Sequence, residues 1–449
     1  MKSFIVSLFA LLTLAGFGQG PEVVHWLQNT TETGSYYVSG NPNTISNGIL
    51  VNCQQVEYSN NYVYVTCTGV PAYPTGPFQD GNTSQTENQN AIFRFNRDPQ
   101  EGSGNTSTTP GSIGVFINGV SLYDYRDGVA WDPTTNALCG GPGNPACPGS
   151  PGTQQDWNRD AIPAEMEGFD CSKGHPAMGE YHHHQNPSAF DLDQVVIYDV
   201  CNVYDADGLY AINPNVHSPL IGFAYDGFPI YGAYAYANTD GTGGIVRMKS
   251  GYQLRDITQR THHADGTDVD DGPNVNNNYF LGYFREDYEY IASQDDDVLD
   301  EHNGRWCVTP EYPQGTYAYF CTVDEDWNSA YPYAVGPTFY GVYENASVNS
   351  ITENTTVYTG SVGTLDILNN LNMTVHPNPA SELLVVQFDG LLHSDMQLEL
   401  IDLQGRIILE STLKSGSTLT YFDVQTLYEG NYIVRSKDQS WSSKVQIVR

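Results

Sequence analysis

Apolar residues along this chain come in short runs broken by turn residues, and in several of these runs they recur at every second position. The stretch 51–70, VNCQQVEYSNNYVYVTCTGV, has two alternating runs around Ser-Asn-Asn and predicts a β-hairpin. In 112–125, SIGVFINGVSLYDY, two further strands flank a turn at Asn118-Gly119. QVVIYDV (194–200), LIGFAYDGFPIYGAYAY (220–236) and GTYAYFCTV (315–323) read as strands too. Asp226-Gly227 is a hairpin-type turn, which places Pro229 at a strand start or edge. The middle of the chain shows no sustained 3.6-residue period, so an all-β or β-dominated core is expected. Gly, Pro, Ser, Thr and Asn fill 98–112 and 132–156, which predicts long surface loops there.

The pattern changes at both ends. Residues 1–18 hold one Lys, an apolar run over 4–14 and then small residues. This predicts a secretory signal peptide, too short to span a bilayer, with cleavage after Gly18. A core then runs over 19–342, followed by a polar stretch at 343–372 that reads as a linker. The tail, 373–449, has strands at HPNPASELLVVQF, MQLELIDLQGRIIL, TYFDVQTLYEGNYIVRS and KVQIVR, the spacing of a small Ig-like β-sandwich. The expected architecture is a large irregular β-sandwich-like core with long loops, plus that second, smaller sandwich.

Composition sharpens the picture. The 32 Tyr, 44 Gly and 25 Pro fit a turn-rich β protein. A net charge of −34 repels polyanions and excludes nucleic acid as a partner. The tail carries nine acids and six bases, so the acidity belongs to the front of the chain. Nothing after the leader is long and apolar enough to cross a bilayer, so the mature chain is expected to have no transmembrane segment. All eight cysteines lie in the portion expected to be exported, where disulfides are the default. Sequence proximity suggests Cys53–Cys67, Cys139–Cys147, Cys171–Cys201 and Cys307–Cys321, although connectivity stays open. CxxC pairs, the usual mark of a zinc cluster, do not occur.

The densest chemistry lies in 174–190, GHPAMGEYHHHQNPSAF. If Glu180 to His184 is a strand, His182 and His184 share one face, while Tyr181 and His183 share the other. Two imidazoles at i and i+2 can aim at one point, a frequent start to a zinc, copper or iron site. His175 and His217 are the candidates to complete it, with zinc or copper the expected ion. Asp170, Glu180 or Asp226 could add a carboxylate or accept a ring N–H. Two other readings stand beside this one. The histidines could simply hydrogen-bond within a polar-aromatic layer. A metal-free site could instead pair a His base with a Tyr acid such as Tyr181, Tyr225 or Tyr231.

In DEHNGRWC (300–307), Arg305 could hold a substrate carboxylate or sulfate, or pair with a neighbouring acid. Tyr181, Asp226, Tyr231 and Arg305 are therefore the catalytic candidates. Acidic stretches at 205–208, 264–274 and 293–301 could chelate a structural calcium, or simply be solvated loops. None has the complete EF-hand pattern. His262-His263, inside one of them, is a weak metal signal.

DCSKGHPAMGEYHHHQNP (170–187) resembles the core motif of the YHYH-domain proteins. GFAYDGFPIYG (222–232), LDEHNGRWCVTPEYPQGTYAYF (299–320) and YPYAVGPTFYG (331–341) match further signatures in the same order. The resemblance covers about 110–342. One departure is that His183 stands where the motif's second Tyr is usual, on the face away from His182 and His184. The tail resembles the C-terminal sorting domain of the Bacteroidetes type IX secretion system, through Pro377-Asn378-Pro379-Ala380, the turn at 402–406 and LYEGNY at 427–432. That resemblance implies the type IX secretion machinery as partner, and export through the periplasm to the outer-membrane surface or the medium. Two functions fit. One is an exported metal-dependent enzyme acting on an extracellular substrate such as polysaccharide. The other is a non-catalytic secreted or surface protein that binds a glycan, cation or protein, with its histidines structural.

Overall fold

The computed structural model describes residues 19–449 except 82, 142, 150–154, 194–200, 202, 205–207, 360–372, 389–395, 402–405, 415–418 and 438–441. The expected signal peptide and the strand expected at 194–200 lie outside the described residues.

An eight-stranded mixed sheet organises the core. In chain order its strands are β1 (Ser112–Phe116), β2 (Ser121–Tyr123), β3 (His175–Ala177), β4 (Glu180–His183), β5 (Leu220–Ala224), β6 (Pro229–Tyr231), β7 (Gly304–Cys307) and β8 (Thr316–Phe320). Across the sheet the order is β3-β4-β2-β1-β5-β6-β8-β7. Pairing is antiparallel except for β4 beside β2 and β6 beside β8. The β1–β2 turn needs Gly119, whose φ is +78°, because a Cβ there would lie 2.5 Å from Cys67 Cβ. β6 begins at Pro229, where the missing N–H costs least.

β5, β6 and β8 are buried at every position, which explains their near-continuous apolar runs. A five-stranded antiparallel sheet shares their core: its strands, in order across the sheet, are Ser347–Val348, Ala91–Asn96, Tyr62–Cys67, Cys53–Tyr58 and Thr356–Val357. Val56, Val63, Val65, Phe93 and Phe95 of that sheet belong to one cluster with Val115, Phe223 and Ile230 of the larger one. Trp26 bridges them, its ring 5.4 Å from both Phe95 and Phe223. Each such fully buried side chain contributes roughly 1.5–3 kcal/mol.

Three expectations need correction. Residues 343–359 are not a linker, because two strands from this segment pair into the five-stranded sheet and Tyr358 N–H bonds Val56 O. Within 98–112, Glu101–Ser107 is a strand paired with Thr338–Gly341 rather than an open loop. Only two of the four suggested disulfides are present, Cys139–Cys147 and Cys171–Cys201. Cys53 and Cys67 face each other in register as buried thiols, but they donate instead to the carbonyls of Ile117 and Gly119. Cys307 lies opposite Thr316, and Cys321 falls beyond the end of β8, so the hairpin register keeps that pair apart.

The tail is its own β unit. One sheet holds Met373–His376, Leu383–Phe388 and Leu419–Asp423, and a second holds Ile407–Leu413, Met396–Ile401, Gly430–Ser436 and Ser442–Ile447. Leu384, Val386, Leu398, Leu400, Phe422, Val434 and Val445 fill the space between them.

Candidate metal centre

The Met178-Gly179 pair shapes the site. Both residues have positive φ, 50° and 91°, as a two-residue hairpin turn of type I′ requires. That loop closes β3 against β4 in one register, with His175 opposite His182 and Ala177 opposite Glu180. Strand alternation then turns His182 and the following His184 to the same side. All three imidazoles are buried, and their ligand atoms lie within 4.8 Å of one another.

Hydrogen bonding fixes two of the rings. His182 Nδ1 is 2.9 Å from Glu180 O, and His184 Nδ1 is 2.5 Å from Asp124 O. A carbonyl only accepts, so each Nδ1 carries the proton and donates it. Each Nε2 is left with a lone pair, yet the two Nε2 atoms are 3.2 Å apart. A further proton between them would create an imidazolium, which this interior opposes. Burial first, then neighbouring histidines, hold His182 far below the ordinary value. Burial lowers His184 to about 4 against weaker support from Asp124, and burial, His184 and His183 lower His175 to about 3. Two facing lone pairs without a proton between them are donors that one cation could bridge.

The rings are held in place by packing. His182 stacks on Tyr123 of β2 at 3.9 Å between centroids. Phe169 meets His175 edge-on at 4.8 Å. Asp124, whose carbonyl orients His184, is itself fixed by a buried ion pair with Arg126.

A carboxylate that the sequence reading missed lies against two of the three histidines. Helix α1 (Ala161–Glu165) starts at Asp160, whose side chain accepts the Ile162 N–H, and ends on Glu165. Glu165 Oε2 is 3.5 Å from both His175 Nε2 and His184 Nε2. That oxygen and His175 Nε2 are buried without a hydrogen-bond partner. Burial, then Asp127, raises the Glu165 carboxyl to about 8. Neighbouring donors around a tetrahedral ion at about 2.0–2.1 Å would be about 3.3 Å apart, close to the 3.2 Å between His182 and His184 and the 3.5 Å from Glu165 to His175 and His184, while Glu165 stands outside the group whose ligand atoms all lie within 4.8 Å of one another. Glu165 and His175 also border a cavity of about 840 Å³, whose wall includes Asp80, Glu167, Gly168 and Met178.

The opposite face of β4 is buried and hydrogen-bonded into the interior. The Tyr181 hydroxyl donates to Asp170, 3.0 Å from both carboxylate oxygens. His183 is clamped between Tyr73 OH at 2.7 Å and Lys173 O at 2.9 Å. Lys173 is buried against Asp193 at 2.8 Å. Tyr181 is therefore turned away from the cavity.

The remaining candidates are placed elsewhere. His217 is not part of the triad: its Nδ1 donates to Ser218 O at 2.7 Å, and its ring packs on Tyr231 and Tyr236. The Tyr231 hydroxyl sits 2.8 Å from both Thr309 and Glu311. Asp226 is buried in β-turn packing, where it accepts from Tyr319 OH at 2.6 Å and Gly341 N–H at 2.8 Å. Arg305 ties the chain together through the carbonyls of Asp296 and Tyr236, with its guanidinium over Phe320. Tyr225 donates to Ser112 at 2.8 Å. His263 bonds Asp156 O at 2.9 Å. Among the described residues, the three histidines are the group of three or more metal-type side chains that converges, and the acidic stretches 264–274 and 293–301 form none; residues 205–207 of the third acidic stretch lie outside the described residues.

A model of the YHYH protein family matches residues 92–332, more than half of the chain. A model of the secretion system C-terminal sorting domain matches residues 374–448. No curated protein and no solved structure matches the chain. No helix among the described residues is long and apolar enough to cross a membrane.

Proposed function

The chain belongs to the YHYH protein family and carries a type IX sorting tail, and we propose that it is an exported protein whose His175, His182 and His184 hold one zinc or copper ion. The observation that carries this reading is the 3.2 Å approach of two Nε2 lone pairs whose Nδ1 protons are committed to carbonyls. Three neutral imidazoles suit a late first-row ion, and both zinc and copper accept this donor set. The cavity beside His175 gives a small molecule a route to the ion.

With zinc, such a centre would polarise a bound water toward hydrolysis, and with copper it would support oxidation. The chain's own residues supply the rest. Asp124 O and Glu180 O fix two imidazole tautomers, and Tyr123 and Phe169 fix ring planes. Asp80 and Glu167 on the cavity wall disfavour an anionic polysaccharide and favour a neutral or cationic substrate. The second reading, a secreted binding protein with a structural ion, draws on the deep burial of His182 and His184.

Metal analysis of the purified exported chain tests the proposal. It should carry close to one ion per chain, and His182→Ala and His184→Ala should each lose it. Full retention of metal in both variants contradicts the reading.

A further inference from the structure

Building on the three-histidine centre, we propose that Glu165 is an exchangeable fourth ligand, displaced from the cavity side by a small neutral or amine-type donor. Three observations converge on it. Its Oε2 is equidistant, at 3.5 Å, from His175 Nε2 and His184 Nε2. That oxygen is buried with no hydrogen-bond donor, an expensive state for a carboxylate unless a cation meets it. Its residue also borders the cavity, whereas His182 and His184 do not.

Position decides which ligand exchanges. His182 and His184 are buried and anchored through Nδ1, so neither can swing aside without breaking a hydrogen bond to a backbone carbonyl. Glu165 ends a five-residue helix and its side chain keeps about a quarter of its surface exposed. A molecule entering the cavity therefore meets the carboxylate corner of the ion. Once displaced, Glu165 lines the same cavity as Asp80 and Glu167, and three carboxylates around one cavity disfavour an anion as the replacement.

The test uses the full chain loaded with cobalt(II), whose visible spectrum reports coordination. Glu165→Ala and Glu165→Gln should alter that spectrum before any ligand is added, with melting temperatures confirming that both variants fold. Imidazole should bind Glu165→Ala about tenfold more tightly than the parent, because no carboxylate need leave. The preference for imidazole over azide should shrink in an Asp80→Asn/Glu167→Gln variant. Unchanged spectra in both Glu165 variants overturn the fourth-ligand assignment while leaving the three-histidine centre standing. An unchanged imidazole-to-azide preference overturns the ligand class. Failure of the parent chain to bind cobalt overturns the three-histidine reading and this inference together.

Discussion

His182 and His184 direct their Nε2 atoms at each other across 3.2 Å, each turned that way by a backbone carbonyl on its other nitrogen. Neither ring can relieve the contact by changing tautomer, since that would leave Glu180 O or Asp124 O without its donor. Nor can either easily take a second proton, because both rings are almost wholly enclosed. The relationship follows from the i, i+2 spacing at the end of β4 plus two carbonyls, and it leaves two lone pairs that one cation could bridge.

Tyr123 should set the precision of that pair. Its ring lies 3.9 Å from the His182 ring at 21°. Tyr123→Ala removes the surface that holds the ring plane and should weaken metal affinity about tenfold. Tyr123→Phe keeps the stack and should bind close to the parent. Competition titrations against a chromogenic chelator measure both, and equal loss in the two variants would assign the effect to the hydroxyl instead.

Gly174→Ala should damage the hairpin from behind. A Cβ there would lie 2.4 Å from the Tyr181 hydroxyl and 2.9 Å from His183 Cε1. Tyr181 is locked onto Asp170 and cannot retreat. Overpacking of this kind costs about 1–3 kcal/mol. Urea denaturation of the metal-free chain should show that loss, and an unchanged midpoint would mean that the hairpin yields more easily than its contacts suggest.

The histidine face was legible in sequence because strand alternation alone separates His182 and His184 from His183; the Met178-Gly179 turn that brings His175 back opposite His182 is visible only in the structure. Glu165 was not legible. It arrives on a short helix whose five residues show no period, and it is one acid among 52 Asp and Glu. His217 was chosen as a remote completer without any pattern to place it, and the sheet carries it to an aromatic pocket around Tyr231. The β-dominated class and the Asn118-Gly119 and Asp226-Gly227 turns followed from period and turn chemistry. The strands at Ser347–Val348 and Thr356–Val357 did not, because two-residue edge strands in a polar segment carry no alternation.

Asp226 should leave a mark on stability against pH. Burial, opposed by the bonds from Tyr319 and Gly341, raises its carboxyl to about 6. An unfolded Asp titrates near 3.9, so between about pH 4 and 6 the native state binds more protons than the unfolded one. Its contribution is therefore fully present below the unfolded value and is lost as pH rises through about 6. Asp226→Asn should remove a slope worth on the order of 2 kcal/mol across that window. Denaturation at pH 4, 5, 6 and 7 for both proteins checks this. Parallel curves would place the native Asp226 carboxyl at its ordinary value.

The most direct test of the central claim is X-ray absorption at the metal edge of the zinc- or copper-loaded chain. The predicted spectrum shows outer-shell scattering from three imidazoles with metal–nitrogen distances of about 2.0–2.1 Å. It should drop to two imidazoles, or lose the metal outright, in His175→Ala. A spectrum without imidazole scattering, or one that His175→Ala leaves unchanged, would contradict a metal centre built on His175, His182 and His184.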